Sequence, residues 1–326
     1  MSHTTLDQIL GIDYPVIVAP MFLISNTKMI KAALQQGVSA AFPALNYRTD
    51  PELRLAIQEI KSFSTKPFGV NLIVNKSNPR YKSQLQTLLE LKVDYIITSL
   101  GNPKEVIEEC RPLGIKVFCD VVDLLYARKV EALGADAVIA VNNRAGGHAG
   151  NLSPQALITL LKENCNIPII SAGGIATGEH LDQVMAWGAA GASVGTIFIA
   201  CEESEVSPEY KQAMIDYGEK DIVRTNKLSG SPLTVINTAY VQKLGTKANL
   251  LEWILHHNKT LKKYAKMLIA FRGMRAVEKA AFGATYKTVW CAGPSIEYVT
   301  SIRSMKDIVN TLTREYDQAR GKNGPS

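Results

Sequence analysis

Residues 167–198 read IPIISAGGIATGEHLDQVMAWGAAGASVGTIF. The two ends of this stretch, IPIISAG and GASVGTIF, are short apolar runs. They are continuous rather than alternating, as strands are when a parallel sheet is covered on both faces. Between them lies GEHLDQVMAWG, an amphipathic stretch that ends in glycine, which is a helix C-cap signal. The whole reads as strand, helix, strand: one βα unit and the start of the next.

Outward from this stretch the same alternation fills the first two thirds of the chain. Apolar runs occur at 15–20 (PVIVAP), 38–43 (VSAAFP), 68–74 (FGVNLIV), 93–98 (VDYIIT), 115–121 (IKVFCDV) and 135–141 (ADAVIAV), before the two at 167–173 and 191–198. Amphipathic stretches such as NTKMIKAALQQG, PELRLAIQEIKSF and LLYARKVEALG separate them. Eight strand–helix units at a spacing of roughly 25 residues predict an α/β fold of the (β/α)8 barrel type. A doubly wound open sheet uses the same alternation, and the count of eight favours the barrel. From about residue 205 the rhythm changes. SPEYKQAMIDYG reads as helical, DIVRTNKLSGSPLTVI as extended and loop-like, and 249–282 as a long helical region. The expected division is a barrel of 1–205 plus 291–326 with an appended, mostly helical cap over 206–290. The final helix, MKDIVNTLTREYDQAR, is expected to return and cover the barrel.

Composition narrows the class. The chain has 326 residues, 46% hydrophobic and 20% charged, enough for a substantial core. A net charge of +6 suits an anionic small ligand and does not call for nucleic acid. Lys259, Lys262, Lys263, Lys266, Arg272, Arg275 and Lys279 read as a solvated helix face. The five cysteines are scattered without a CxxC pair, which fits a reducing, cytoplasmic compartment and neither a disulfide framework nor a zinc site. YPVIVAPMFLI is too short to span a bilayer. His256 and His257 are adjacent, so they point apart on a helix, and no metal site is expected.

In such a barrel the catalytic groups sit at the C-terminal ends of the strands, and the last two loops often hold phosphate. Gly173 and Gly174 end the seventh run, and Gly195 and Thr196 lie in the eighth. Glycine lets the backbone approach an anion, Thr196 adds a hydroxyl, and the helix starting near Glu179 offers unpaired N–H groups. As a pair on adjacent strands these loops predict a phosphate clamp. The sixth run is followed by NNRAGGHAGNLSP, which sets His148 between glycines.

With these motifs in order (APM, GVN, AGGHAG, AGGI, GAAGASVGTIF and VWCAGPSI) the chain resembles the nitronate monooxygenases, formerly 2-nitropropane dioxygenases. These are FMN-dependent TIM barrels related to the flavin-containing enoyl-ACP reductases. The resemblance runs over nearly the whole chain, and AGGH is its most specific part. It implies FMN, with its phosphate on Gly173, Gly174, Gly195 and Thr196 and its ring against Pro20, Met21 and Asn71. It places His148 on the substrate side of the flavin, carried on a backbone path that Gly146 and Gly147 allow close to the cofactor. There His148 would take a proton from the carbon beside a nitro group, or orient an anionic nitronate.

Three positions depart from the family pattern: FLIS follows Met21, Arg144 replaces the usual acidic residue, and Pro294 stands in AGPS. They are expected to touch the substrate face more than the phosphate face, with Phe22 and Leu23 narrowing the pocket and Arg144 drawing in an anion. Asp120 lies within reach of the site by topology. The expected reaction is oxidation of alkyl nitronates with O2 to a carbonyl compound and nitrite. One alternative is an NAD(P)H-dependent FMN reductase acting on a quinone or enoyl thioester, and a second is a non-redox phosphate-binding barrel. The last helix and the cap offer surface for a homodimer.

Overall fold

The computed structural model describes residues 4–75, 78–225, 233–245 and 289–323. Eight parallel strands close into a barrel: β1 (Val16–Val18), β2 (Ser39–Pro43), β3 (Gly69–Ile73), β4 (Tyr95–Ser99), β5 (Lys116–Val121), β6 (Ala137–Val141), β8 (Ile169–Ala172) and β9 (Gly191–Val194), with β9 pairing back onto β1. Each barrel strand falls at one of the eight apolar runs. The eighth run is divided: after β9 its tail winds into a 3-10 turn, Thr196–Phe198.

Helices α2 (Thr27–Gln35), α3 (Asp50–Phe63), α4 (Tyr81–Glu90), α5 (Lys104–Cys110), α6 (Leu124–Leu133), α7 (Pro154–Asn164) and α8 (Gly178–Trp187) follow successive strands. Their starts are encoded by side chains that accept from the first free N–H groups. Asn26, Thr49, Asp123, Ser153 and Thr177 each cap the helix that follows. The final helix, here α11 (Met305–Asn323), packs directly on α8. A Cβ on Gly178 would lie 2.0 Å from the Tyr316 backbone nitrogen.

Successive residues of a barrel strand face opposite ways, so the chain builds two cores. Val70, Leu72, Ile96, Val117 and Val138 pack outward with the helices. Ile17, Ala41, Tyr95, Ile97, Phe118, Ile139 and Ile170 fill the barrel, joined from the N-terminal side by Leu6 of α1 (Leu6–Leu10), whose N–H donates to Ala190 O at 2.7 Å. Tyr95 is the largest of these inner side chains. Its ring stacks on Phe118 at 5.0 Å, and its hydroxyl lies 2.8 Å from Ser39 Oγ.

Gly69 leaves the space Tyr95 occupies. A Cβ there would lie 2.1 Å from the Tyr95 ring, which is fully buried and has nowhere to move. Gly69→Ala is therefore expected to destabilise the barrel by about 1–3 kcal/mol through overpacking. Thermal unfolding checks this, and restoration of stability by pairing it with a smaller residue at Tyr95 would identify the clash as the cause.

Outside the barrel, β7 (Gly147–His148), β10 (Ile222–Thr225) and β11 (Leu233–Ile236) form an antiparallel sheet in the order β10-β11-β7. Helices α9 (Pro208–Asp216) and α10 (Ala239–Leu244) flank β10 and β11 in sequence. The segment from 206 to 245 thus carries strands as well as helices, and the long helix expected over 249–282 lies outside the described residues. Among the described residues no helix is long and apolar enough to cross a membrane.

Candidate active site at the barrel mouth

The inner core turns polar at the C-terminal end of β3, β4 and β5. Asn71 donates from Nδ2 to Ile97 O at 3.2 Å and to Ser99 Oγ at 2.6 Å, and Ser99 donates to Asp120 Oδ2 in a short hydrogen bond. Asn71 has thus spent both N–H groups on the barrel, and its oxygen is what remains for a ligand. Burial raises the Asp120 carboxyl to about 6, against the opposing pull of the Ser99 hydrogen bond. Ser99 was not singled out from sequence. The available signal was a hydroxyl ending an otherwise apolar run.

The four residues expected to clamp a phosphate end two neighbouring strands: Gly173 and Gly174 follow β8, and Gly195 and Thr196 follow β9. Gly173 and Gly174 have φ of +113° and +83°, and a Cβ on Gly173 would lie 2.5 Å from both Ala145 N and Asn142 Oδ1. The N–H groups of Gly174 and Gly195 make no hydrogen bond to another described residue. Thr196 is buried, and its Oγ1 accepts from Gly293 N at 3.0 Å, which leaves its own proton free to donate. The helix terminus named beside this clamp is different. The N-terminus of α8 is capped from both sides, with Gly178 N donating to Glu315 Oε2 at 2.9 Å and His180 N to Thr177 Oγ1 at 3.2 Å. The return of α11 supplies the Glu315 carboxylate and closes that end.

Met21 stands beside this clamp: a Cβ on Gly195 would meet its sulfur at 3.4 Å. Pro20, Met21, Phe22 and Leu23 are all half-buried. Leu23 has φ +60°, a left-handed conformation that costs an L-residue roughly 1–2 kcal/mol. Asn46 holds it there, accepting from Leu23 N at 2.9 Å and donating to Ser25 O at 2.8 Å. The unusual FLIS segment is thus a turn clamped from the end of β2.

His148 lies on β7, in register with Leu233 of β11. Its side chain is solvent-accessible, and its ring makes no hydrogen bond to another described residue. The surrounding mouth and small sheet displace enough water to lower its pKa below the ordinary 6.5, so it is neutral at pH 7. The glycines before it each have a role within the chain. Gly146 is small because the chain passes beside it: a Cβ would lie 2.9 Å from Gly293 N. Gly147 turns the chain at φ +71° with open space where a Cβ would stand.

Two of the departures lie beside the glycine turns after β8 and β9. The Arg144 stem packs over Gly174, and its guanidinium forms a two-pronged pair with Glu219 at 2.9 and 3.0 Å, so its charge is already matched. Gly293 and Pro294 run beside Thr196, with Pro294 opening a 3-10 turn to Tyr298. Among the described residues no cluster of His, Cys, Asp or Glu is arranged to hold a metal ion.

The model of the family described as nitronate monooxygenase matches residues 76–315. The (3aS,4S,5R,7aS)-5-hydroxy-7a-methyl-1-oxo-octahydro-1H-indene-4-carboxyl-CoA dehydrogenase of Rhodococcus jostii is 30% identical over 76% of this chain and 69% of its own. A nitronate monooxygenase of Paraburkholderia phytofirmans is 28% identical over 68% of this chain and 73% of its own. Among solved structures, FabK from Thermotoga maritima superposes with a TM-score of 0.85 at 28% identity, covering 99% of both chains.

Proposed function

Because the chain belongs to the nitronate monooxygenase family, and is an oxidoreductase of that kind, we propose that it binds FMN at the barrel mouth and oxidises alkyl nitronates with O2 to a carbonyl compound and nitrite. The observation that carries this reading is an imidazole, His148, held below the ordinary histidine pKa and without a hydrogen bond to another described residue, at the same end of the barrel as the glycine turns after β8 and β9. The residues fit the cofactor. Gly173 and Gly174 turn the chain after β8 at positive φ, the N–H groups of Gly174 and Gly195 make no hydrogen bond to another described residue, and the Thr196 hydroxyl retains a proton to give. Met21 beside Gly195 offers a polarizable apolar surface to the ring, and the Asn71 oxygen would accept from its pyrimidine edge.

When bound, FMN would supply the electron acceptor and the site of reaction with O2. The chain itself supplies proton handling and orientation. His148, neutral at pH 7, is in the form that removes a proton from the carbon beside a nitro group, and the imidazolium so formed sits next to the nitronate it has made. Asp120 is a second titratable group at this end of the barrel. Its carboxyl, raised to about 6, is largely ionised at neutral pH and reaches Asn71 through Ser99.

A second reading keeps FMN and takes electrons from NAD(P)H for a quinone or an enoyl thioester. It is favoured by the relative named for a CoA thioester and by exposed apolar side chains, Leu100 after β4 and Val122 after β5. One experiment separates the two. The purified protein is mixed anaerobically with propyl-2-nitronate, and separately with NADH or NADPH, while flavin absorbance is followed. Bleaching by the nitronate alone is expected. Bleaching only by the nicotinamides selects the reductase. A protein that neither carries nor takes up FMN sinks both and returns the clamp to a non-redox phosphate ligand.

A further inference from the structure

The loop that carries His148 is tied at its base by Asn143 N donating to Leu152 O at 2.8 Å and Gly150 N to Asn142 O at 3.2 Å. Gly147 precedes the histidine in a left-handed turn with open space where a Cβ would stand, and no side chain between Gly147 and Gly150 bonds to the barrel. Above that base the hold comes from the small sheet. β11 pairs with His148 on one side, and Arg224, on the neighbouring β10, reaches past it. The Arg224 guanidinium donates to Ala149 O at 2.8 Å, Gly150 O at 3.0 Å and Asn151 Oδ1 at 3.0 Å, the three residues directly after the histidine.

We propose that Arg224 is the positioning residue for His148: it caps consecutive carbonyls of the loop and so sets where the imidazole stands over the barrel mouth. The proposal rests on the reading of His148 as the proton-handling group. A guanidinium suits the task because its planar fork addresses several acceptors at fixed angles, whereas a lysine ammonium is a compact point charge on a flexible stem. Arg224 does not line the phosphate cradle by any described contact, so its effect should pass through the histidine loop and not through cofactor uptake. Pairing within one loop also predicts non-additive behaviour, the signature of a residue that works through another.

The test is a double-substitution cycle on the FMN-loaded protein, using anaerobic bleaching by 2-nitropropane and by propyl-2-nitronate, with NADPH as the probe if only it bleaches the flavin. Arg224→Ala is expected to lower kcat about tenfold or more, with little change in KM or FMN content, and to lower it less than about twofold when His148 is already alanine. Arg224→Lys should recover part of the loss, and it replaces the alanine variant if that one melts early. Hydrogen exchange should show faster amide exchange in the peptide covering 145–152. Equal losses with and without His148, or an unchanged exchange rate over 145–152, overturn the assignment while leaving the site reading intact. If His148→Ala alone has no effect with any probe, the site reading falls and the assignment falls with it.

Discussion

His148→Ala is expected to take up FMN as the parent does and to oxidise a neutral nitroalkane at least ~100-fold more slowly, the range over which a positioned general base acts. The sign of the pH dependence follows from its surroundings. Burial lowers the His148 pKa, so the base form is gained as pH rises through a value below the ordinary 6.5. The parent rate on neutral nitroalkane should therefore climb through the acid range, with its midpoint below that of an ordinary histidine, and the variant should lose that limb. Propyl-2-nitronate is already deprotonated, so its oxidation should suffer less, by the orienting contribution alone. A variant that handles both substrates as the parent does would remove His148 from the chemistry.

The second large effect concerns Gly173→Ala. At φ +113° any side chain is strained, and the new Cβ would stand 2.5 Å from the Ala145 backbone nitrogen. Asn142 cannot yield easily, because it donates to Gly173 O at 3.0 Å and accepts from Arg144 N at 2.8 Å. The phosphate turn and the histidine loop must then separate. The expected result is loss of about 2–4 kcal/mol of stability and a protein purified largely without flavin. Thermal melts of the cofactor-free protein and FMN titration by fluorescence quenching read the two losses apart. A melt and an FMN affinity equal to the parent's would show that this turn does not hold the phosphate.

The barrel was legible because its strands are buried on both faces, which leaves eight unbroken apolar runs in the sequence. Most runs overreach their strands by a residue or two at an end, and the eighth by four, since residues such as Pro20 and Gly195 are apolar or small for the sake of the mouth and not of the ladder. The glycines of the phosphate turn were equally visible, since only glycine tolerates the φ values found at Gly173 and Gly174. What was hidden depends on partners distant in the chain. β7 is two residues long, and GH announces no strand until β11, from the stretch read as extended, pairs with it. Arg144 looked like a free cation until Glu219 was found facing it, and Glu179 looked like the start of an open helix until Glu315 was found capping it. Ser99 and Asp120 lie at the ends of apolar runs, where a polar residue reads as a strand boundary and also lines the mouth.

The last barrel strand ends at Val194, yet the contacts that shape the mouth reach far beyond it. Arg144 finds Glu219 across 75 positions, Gly150 finds Arg224 across 74, and Thr196 finds Gly293 across 97. During synthesis every barrel strand is therefore made well before the residues that fasten the histidine loop and the phosphate turn. Closing such long intervals is the slow part of folding. The scaffold and its chemistry should mature in two stages, the second waiting for the C-terminal third, so a nascent or clipped chain could hold a formed barrel and still have no reactive centre.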